Sequence, residues 1–308
     1  MYDVVIIGGG PGGVAAGVYA ARKQLKTLFL TENFNSQSVV SASIENWIGT
    51  ETIAGWEFGQ ALEKHLRAQE GIEIKTDSKV VRVTPEVEGG YAIKTESGEE
   101  YASKTIIIAS GGRHRHLGIP GEEKLNGKGV AYCSTCDAPF FRGKKVAVVG
   151  GGNAGLEAVE DLLPYADEIV LIVRSGEVKG DQVTQDKVLN SPKVNILYHT
   201  IPEEILGENI VSGIRIKHTD TGSRETINLN GVFVEIGMVP NTEFVKDLLD
   251  LNERGEIILD HRTRATSSPG IFAAGDATDA PYKQNNISAG DGVAAALSAY
   301  DYLRKQKG

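Results

Sequence analysis

Two segments of the chain share one pattern, an apolar strand followed by a glycine-rich turn and a helix rich in small residues. They are YDVVIIGGGPGGVAAGVYAARKQLKTLFLTE at residues 2–32 and KKVAVVGGGNAGLEAVEDLLPYADEIVLIVR at residues 144–174. In the spacing GxGxxG, the first glycine makes a tight turn, the second admits a pyrophosphate, and the third lets the helix pack on the strand. The glycines are Gly8, Gly10 and Gly13 in the first copy, and Gly150, Gly152 and Gly155 in the second. A phosphate bound there meets the free N–H groups of the helix N-terminus.

The similarity between the two halves of the chain continues downstream of each glycine turn. KVVRVTPEVEGGYAIKTESGEEYASKTIIIASG at residues 79–111 predicts a strand, a hairpin and an apolar strand, and residues 211–237 predict the same series. A lone GxGxxG also occurs in other α/β proteins, but here both copies follow a strand and open a helix. A chain of 308 residues is also long for a single core. The sequence therefore predicts an α/β fold with two Rossmann-like, three-layer (ββα) dinucleotide-binding domains, the second inserted into the first.

The two copies differ at the residue that selects the nucleotide. Glu32 stands nineteen residues after Gly13, where a carboxylate accepts hydrogen bonds from a free ribose. Arg174 stands nineteen residues after Gly155, and an arginine pairs with a phosphate instead. The first site thus favours FAD or NAD and the second favours NADP, unless Arg174 is only an exposed charge at the end of a strand.

A third segment, SSPGIFAAGDATDAPYKQNNISAGDGVAAALSAYDYL at residues 267–303, favours a flavin at the first site. It predicts a short apolar strand, a turn with Asp276, and a long helix that begins near Asn286. Asp276 and the start of this helix are both expected near the ribityl or pyrophosphate region of the cofactor. We therefore expect an FAD-binding domain at residues 1–114 and 241–308, and an NAD(P)H-binding domain that carries the cysteines at residues 115–240.

The charge balance bears on partners and location. There are 32 Lys and Arg against 41 Asp and Glu, a net charge of −9 without a basic block, which disfavours nucleic acid. No apolar run reaches the roughly 18 residues that a membrane span needs, and the chain opens on a strand without a basic leader. We expect a cytoplasmic protein. In that compartment an isolated cysteine pair is more often catalytic or metal-binding than structural.

These stretches together resemble the low-molecular-weight thioredoxin reductases over essentially the whole chain. The second half is also similar to the flavoprotein reductase of alkyl hydroperoxide reductase systems, notably at KGDQVTQDK. That larger family carries an N-terminal disulfide-relay module, and we expect a separate protein to take its place here. The motifs that carry the resemblance are GGGPGG (8–13), IENWIG (44–49), IIIASGG (106–112), CSTCD (133–137), VVGGGNAG (148–155), KGDQVTQDK (179–187), VFVEIGMVPNT (232–242) and GIFAAGDATDAPYKQ (270–284).

The resemblance implies a homodimer that binds FAD and a nicotinamide nucleotide. The implied FAD contacts are Gly8, Gly10, Pro11, Gly13, Glu32, Gln37, Asn46, Ala109, Gly111, Gly275, Asp276, Lys283, Gln284 and Asn285. The implied contacts of the nicotinamide nucleotide are Gly152, Asn153, Ala154, Gly155, Arg174, Ile236 and Gly237.

The chain departs from the family's pattern at the donor site. Thioredoxin reductases that use NADPH typically show H-R-R-x-x-x-R, where this chain has VRSGEVK at residues 173–179. Arg174 is kept, Ser175 and Lys179 replace the other two arginines, and no acidic residue of the NADH type is present. NADPH is the expected donor, and NADH, reduced ferredoxin and a reduced deazaflavin are the alternatives.

The only two cysteines, Cys133 and Cys136, are spaced as CxxC. A zinc site needs about four ligands, and the nearest further candidates are His114 and His116. Two inert buried thiols are a poor account of the spacing. One helical turn brings both sulfurs of a CxxC within bonding distance, so we favour a redox-active disulfide beside the flavin. Asp137 is then the proton carrier for the dithiol, unless it serves as a helix N-cap.

The predicted function is that of a thioredoxin-disulfide reductase-like flavoprotein. Electrons pass from the donor to FAD, then to Cys133 and Cys136, and then to thioredoxin or a glutaredoxin-like protein. Because the cysteines and the nucleotide share one domain, we expect one domain to rotate against the other, with hinges near residues 112–116 and 238–242. The alternative function is a non-catalytic, flavin-binding redox sensor. Which cysteine attacks the partner stays open.

Overall fold

The chain folds into two compact units. The computed structural model describes residues 1–41, 43–86 and 89–306. One unit consists of Met1–Arg113 and Val239–Gly308, and the other of His114–Met238. The observed bounds fall one residue before the expected first crossing and two residues before the expected second crossing. The second unit is thus inserted into the first, which agrees with the predicted fold class.

The described residues form the following strands and helices. In chain order the strands are β1 (Tyr2–Ile7), β2 (Thr27–Leu30), β3 (Ile72–Lys75), β4 (Val80–Pro85), β5 (Tyr91–Thr95), β6 (Glu100–Ile108), β7 (Gly112–His114), β8 (Val130–Ala131), β9 (Lys145–Val149), β10 (Glu168–Ile172), β11 (Val194–Leu197), β12 (Thr200–Leu206), β13 (Gly213–His218), β14 (Arg224–Asn228), β15 (Gly231–Val234), β16 (Met238–Pro240) and β17 (Ile271–Ala273). The α-helices are α1 (Pro11–Arg22), α2 (Gly55–Arg67), α3 (Ser134–Asp137), α4 (Asn153–Leu162), α5 (Gln182–Leu189) and α6 (Asn285–Gln306).

The discontinuous unit is built on one mixed sheet. Its strand order is β3-β2-β1-β6-β5-β4, with β17 also paired to β6. The strands β1, β2, β3, β6 and β17 are parallel, whereas β5 pairs antiparallel with β6 and β4 pairs antiparallel with β5. Side chains alternate across β1, so Val5 and Ile7 belong to one core while Val4 and Ile6 belong to the core under α1 and α6. Apolar residues on both faces explain why β1 reads as an unbroken hydrophobic run.

The inserted unit repeats this plan with a second sheet. Its parallel sheet has the order β11-β10-β9-β15-β8, and a separate antiparallel sheet has the order β12-β13-β14. One face of the parallel sheet packs with α4 in a core that includes Val148 and Leu156. The other face packs with the three-stranded sheet through residues such as Val149 and Ile214. The layers are therefore sheet, sheet and helix, the predicted ββα arrangement.

Two short strands mark where the chain passes from one unit to the other. β7 and β16 pair with each other as a two-stranded sheet. The first residue of the inserted unit, His114, ends β7, and its last residue, Met238, begins β16. Within the part of the chain that the structure describes, no helix is both long enough and apolar enough to cross a membrane.

Candidate functional site

The first glycine turn connects β1 to α1. Gly8 has a φ of +117°, and a Cβ on it would collide with the carbonyl oxygen of Ala109. A Cβ on Gly13 would collide with the carbonyl oxygen of Gly8, so α1 packs this closely only because both residues are glycine. At Gly10 the nearest atom to an added Cβ is Ser36 Cβ, at 3.9 Å. The space that a diphosphate needs thus lies over Gly10, the N-cap of α1.

The second glycine turn, between β9 and α4, repeats these contacts. Gly150 has a φ of +138°, and its added Cβ would collide with the carbonyl oxygen of Glu235. A Cβ on Gly155 would collide with the carbonyl oxygen of Gly150. An added Cβ on Gly152 would meet only the carbonyl oxygen of Lys179 within 4 Å, at 3.9 Å. Both turns therefore close against protein at their first and third glycines and stay open at the second.

Asp276 follows β17 and receives hydrogen bonds from two distant segments. Gln37 Nε2 donates to its Oδ2 at 3.3 Å, and Ser288 Oγ donates to its Oδ1 at 3.4 Å. Burial raises the pKa of Asp276, and the charge of Lys283 opposes that rise. Lys283 in turn forms an ion pair of 3.0 Å with Glu256. The carboxyl group of Asp276 therefore lies close to the side chains of Gln37 and Lys283.

Further hydrogen bonds bring the beginning and end of the chain together. Asn46 Nδ2 donates to Gln284 Oε1 at 3.3 Å, although 238 residues separate the two. Asn285 Nδ2 and the hydroxyl of Ser38 lie 2.9 Å apart. Asn286 Nδ2 also donates to the carbonyl oxygen of Asn46, at 2.7 Å. The residues expected along the flavin are thus neighbours in the folded unit.

The remaining residues expected at FAD lie around the first turn. The N–H of Ala109 donates to the carbonyl oxygen of Ile7 at 2.8 Å, which places the end of β6 beside Gly8. Gly111 has a φ of +64° and open space where a Cβ would be. Gly275 also has a positive φ and faces Ser288. Pro11 is buried in the first turn of α1, and Glu32 is exposed just after β2.

The neighbourhood of the second turn is more exposed and more highly charged. Arg174 is exposed two residues after β10, and no other described residue hydrogen-bonds or ion-pairs with its side chain. The ammonium of Lys179 lies 3.6 Å from the carboxylate of Glu177, and both side chains are exposed. The backbone N–H of Lys179 donates to the carbonyl oxygen of Gly151 at 2.6 Å. Residues 174–179 therefore fold against the turn and present one unpaired arginine and one paired lysine.

Four other expected nucleotide contacts also lie close to this turn. Asn153 Oδ1 accepts a hydrogen bond from the N–H of Asp181 at 2.9 Å, and Ala154 is exposed in the first turn of α4. Ile236 and Gly237 follow β15, the strand next to β9, and Gly237 has a φ of +97°. The carboxyl ends of adjacent parallel strands meet at the same edge of a sheet, where nucleotides bind in this type of fold.

Cys133 and Cys136 form a disulfide whose Cα atoms are 5.3 Å apart. Cys133 precedes α3, and Cys136 lies within this single helical turn. Asp137 ends α3 and precedes the 3₁₀ turn Ala138–Phe141, where its side chain makes no capping hydrogen bond. Burial raises the pKa of Asp137 to about 6. Asp137 thus does not cap this turn, and its part in proton exchange stays a prediction.

Two carboxyl groups near the disulfide were missed from the sequence. The hydroxyls of Ser134 and Thr135, the residues between the cysteines, both donate to Asp161 Oδ2, at 2.8 and 2.9 Å. Burial, and then the charge of Asp161, raise the pKa of Glu235 to about 8, while a hydrogen bond from the backbone of Ser134 lowers it. Glu235 directly follows the apolar strand β15, and its carbonyl oxygen faces Gly150 as that of Ala109 faces Gly8. A carboxylate at the end of an apolar strand was the signal that could have found it.

The zinc alternative has no ligand set among the residues that the structure describes. Among the described residues, no group of three or more His, Cys, Asp and Glu side chains is placed to hold a metal ion. The rings of His114 and His116 both pack on Tyr132, with ring centroids 5.2 Å apart in each case. Burial lowers the pKa of His114 to about 4, so this imidazole is neutral at physiological pH.

The described geometry fits a dinucleotide on each unit. At both turns the N-cap is a glycine, so no side chain caps the first N–H groups of α1 or α4. The open face over Gly10 and Gly152 leaves these donors available to a diphosphate. The polar side chains around Asp276 add a second set of donors and acceptors in the discontinuous unit, as a cofactor larger than a diphosphate requires.

Comparison with known proteins agrees with this geometry. The family model described as pyridine nucleotide-disulphide oxidoreductase matches residues 2–296. The alkyl hydroperoxide reductase F subunit of Pseudomonas putida is 41% identical over 304 residues, which cover 98% of this chain and 58% of that protein. A protein named NADH dehydrogenase in Bacillus subtilis is 40% identical over 302 residues, which cover 98% of this chain and 58% of that protein.

A solved structure matches the fold over nearly the whole chain. Thioredoxin reductase from Streptococcus pyogenes superposes with a TM-score of 0.92 and 34% identity, covering 99% of each chain. By contrast, the chain spans about three fifths of the length of the curated relatives that it matches. Nearly all of this chain is therefore accounted for by one family and one fold. The chain belongs to the pyridine nucleotide-disulphide oxidoreductase family and has the two-domain thioredoxin reductase fold.

Proposed function

We propose that this chain is an FAD-dependent reductase that passes two electrons from a reduced donor, through Cys133 and Cys136, to a disulfide of a thioredoxin-like or glutaredoxin-like protein. The observation that supports this most directly is the disulfide itself, which lies in the same unit as the second glycine turn. Such electron transfer needs a disulfide that can be reduced and a turn that can bind the donor nucleotide, and this chain has both. Asp137 beside Cys136 supplies the proton exchange.

FAD is assigned to the discontinuous unit. The diphosphate is held over Gly10 at the N-terminus of α1, and Glu32 accepts hydrogen bonds from the adenosine ribose. Gln37, Asp276 and the segment from Lys283 to Asn285 bind the ribityl and ring portions. When bound, FAD accepts electrons from the donor and delivers them to the disulfide.

The nucleotide donor is assigned to the inserted unit, with NADPH preferred. Arg174 is exposed and unpaired among the described residues, so it is available to a 2′-phosphate. Lys179 is a weaker second cation because Glu177 lies 3.6 Å from it and opposes a phosphate. Lost charge-assisted contacts of roughly 1.5–3 kcal/mol each leave a site that is weaker than one with three basic residues. NADH, reduced ferredoxin and a reduced deazaflavin are therefore tested beside NADPH.

Asp137 is assigned the proton transfers at the disulfide. Its pKa of about 6 keeps the carboxylate available as a base at neutral pH, while the acid form is reached at little cost. As a base it removes the proton from the thiol that attacks the partner. As an acid it returns a proton to the sulfur that leaves. Asp137 directly follows Cys136 in the same short helix.

A second acceptor class has support from one comparison. The similarity to the F subunit of alkyl hydroperoxide reductase covers 98% of this chain. The disulfide of a peroxide-reducing protein is therefore the second candidate acceptor. The same thiol–disulfide exchange serves either partner, so the chemistry at Cys133 and Cys136 does not distinguish them.

The test is anaerobic reduction of the purified yellow protein. NADPH, NADH, reduced ferredoxin and a reduced deazaflavin are mixed with it separately, and flavin absorbance is followed by stopped flow. We expect the fastest bleaching with NADPH, followed by reduction of thioredoxin when that protein is added. A donor that bleaches the flavin without any later reduction of thioredoxin, glutaredoxin or a peroxide-reducing protein would point to the redox-sensor alternative.

A further inference from the structure

Opening a disulfide requires proton carriers as well as electrons. The S–S bond breaks as it takes up two electrons, and the two sulfurs bind two protons to give two thiols. In the proposed function, on which this inference rests, the electrons come from the reduced flavin. Asp137 follows Cys136 and is one group near this turn that exchanges protons close to neutral pH. Ser134, at the Cys133 end of the turn, contacts a different carboxyl group.

That group is Glu235, which lies at the end of β15. The backbone of Ser134, the residue after Cys133, contributes a hydrogen bond to its carboxyl group. The backbone N–H of Glu235 donates to the carbonyl oxygen of Val149 at 2.9 Å, and its own carbonyl oxygen packs against Gly150. The backbone of Glu235 is thus fixed by the second glycine turn, and its side chain reaches the redox turn.

Asp161 connects α4 to the same redox turn. One of its oxygens accepts hydrogen bonds from both residues between the cysteines, Ser134 at 2.8 Å and Thr135 at 2.9 Å. These two bonds hold the carboxylate of Asp161 beside the turn, and its negative charge acts on Glu235. The charged groups that act on Glu235 are Asp161 and Glu157 from α4 and Asp137 from α3, and all three favour its protonated form. Burial acts in the same direction and is the larger cause.

We propose that Glu235 is a second proton carrier of the dithiol cycle, which serves the Cys133 end of the turn while Asp137 serves the Cys136 end. Asp161 is a positioning residue: it holds Ser134 and Thr135 and keeps Glu235 in its acid form. Two carriers allow one carboxyl group to accept a proton while the other delivers one.

Exchange with a partner disulfide uses both carriers. In the first step a thiol loses its proton, its sulfur attacks the partner's disulfide, and the partner's leaving sulfur gains a proton. In the second step the other thiol loses its proton, its sulfur attacks the mixed disulfide, and the second partner sulfur gains a proton. In total two protons move from the two cysteines to the partner, and the Cys133–Cys136 bond forms again. Each step has one proton to accept and one to deliver.

The test uses the full-length protein after chemical reduction of its disulfide with a small dithiol. The alkylation rate of each cysteine by iodoacetamide is measured from pH 5 to 10, and the two sites are resolved by peptide mass spectrometry. In the unaltered protein, Glu235 ionises near pH 8 and its charge disfavours the nearby thiolate. For Glu235→Gln we expect the Cys133 thiolate to form at a pH lower by about one unit, with little change at Cys136. The Glu208→Gln control, at an exposed loop residue of the same unit, should leave both profiles unchanged.

Two outcomes overturn the proposal. One is a Cys133 profile in Glu235→Gln that superposes on the unaltered protein, and the other is an equal shift in Glu208→Gln. If Glu235→Gln does not fold, Glu235→Asp and Asp161→Asn give the answer. The ionisation of Glu235 should appear as an inflection in the plot of the Cys133 alkylation rate against pH. Glu235→Asp should retain this inflection, and Asp161→Asn should move it to lower pH because a repelling charge is removed. An unmoved inflection in Asp161→Asn refutes the assigned role of Asp161.

Measurements of turnover distinguish a failure of this inference from a failure of the proposed function. Glu235→Gln should reduce a protein disulfide about tenfold more slowly, at the lower end of the effects of acid–base groups, while donor oxidation by artificial acceptors is unchanged. If the unaltered protein reduces no protein disulfide, the proposed function fails, and the alkylation profiles still decide whether Glu235 exchanges protons with Cys133.

Discussion

The two glycine turns have the same backbone contacts and different surroundings. In each, the first glycine has a positive φ and faces a carbonyl oxygen, and the third faces the carbonyl oxygen of the first. Around the Gly8 turn, the side chains of Gln37 and Ser288 converge on Asp276 from distant parts of the chain. Around the Gly150 turn, by contrast, the nearby cations Arg174 and Lys179 are exposed and come from the short segment 174–179.

The different surroundings of the two turns predict that one ligand is retained and that the other exchanges. A ligand bound by several ordered, partly buried groups loses many contacts on release, so its dissociation is slow. A ligand held by a helix N-terminus and one or two exposed cations is bound weakly and is sensitive to salt. Under the proposed function, we therefore expect the discontinuous unit to hold FAD through many turnovers, and the inserted unit to bind and release a donor.

The largest expected effect comes from replacing either cysteine, which stops thiol–disulfide exchange in the inserted unit and leaves the discontinuous unit unchanged. Cys133→Ser and Cys136→Ser should each abolish reduction of a protein disulfide, because neither leaves a dithiol to exchange. Both variants should keep FAD and oxidise the donor with artificial acceptors. The measurement is a thioredoxin-coupled assay beside a dye-reduction assay. Thioredoxin reduction retained in either variant would contradict the proposed electron path.

Alanine at the first glycine of each turn should destabilise one unit and leave the other unit intact. Gly8→Ala and Gly150→Ala each place a side chain at a positive φ against a carbonyl oxygen, so we expect a loss of about 3 kcal/mol or more of unfolding free energy. Gly8→Ala should lose FAD, whereas Gly150→Ala should keep FAD and lose the nucleotide response. Thermal unfolding and flavin absorbance measure both effects.

The control for these substitutions is Gly290→Ala. Gly290 lies in α6 with open space where a Cβ would be, so alanine there should be neutral or slightly stabilising. Loss of FAD from Gly150→Ala as complete as that from Gly8→Ala would show that the two turns do not act independently.

Asp137→Asn should slow protein-disulfide reduction by about 100-fold, because Asn cannot exchange a proton. The same change should stabilise the oxidised protein at pH 7. The folded pKa of Asp137, about 6, lies above the ordinary value of 3.8, so its ionisation lowers the free energy of unfolding as pH rises between these values. The gain for Asn should therefore be near zero at pH 3.5 and reach up to about 3 kcal/mol above pH 6.

Chemical denaturation at pH 3.5, 5 and 7 measures the stability difference, and the coupled assay measures the rate. A variant that is slow but no more stable at pH 7 would mean that the carboxylate has a compensating partner. An unchanged rate would remove Asp137 from the proton path.

The smallest expected effect concerns the choice of donor. Arg174→Ala should weaken the preference for NADPH over NADH by about tenfold, the equivalent of one charge-assisted contact. Glu177→Gln should strengthen that preference by a few fold, because it frees Lys179. Stopped-flow flavin reduction with each nucleotide measures both effects, and FAD content should not change. A preference left intact by Arg174→Ala would make this arginine only a surface charge.

Much of the fold was predictable because it depends on local rules. GxGxxG between an apolar strand and a helix requires a left-handed first glycine and a tight helix contact, and both turns have this geometry. The inserted order of the two units also agrees with the repeat found in the sequence. The CxxC spacing anticipated the disulfide because one helical turn is enough to close it. The ligands assigned to each turn remain predictions.

By itself, the sequence determined the two Rossmann-like units, the position of each glycine turn and the pairing of the cysteines, since each follows from a continuous strand–turn–helix pattern or from one helical turn. Only the tertiary structure brought Gln37 to Asp276, Asp161 to the two residues between the cysteines, and Glu235 to Ser134. These contacts join residues 239, 27 and 101 positions apart, and they depend on how strands and helices order themselves in space. Burial is likewise a property of the packed chain, so the raised pKa values of Asp137 and Glu235 have no signature in sequence.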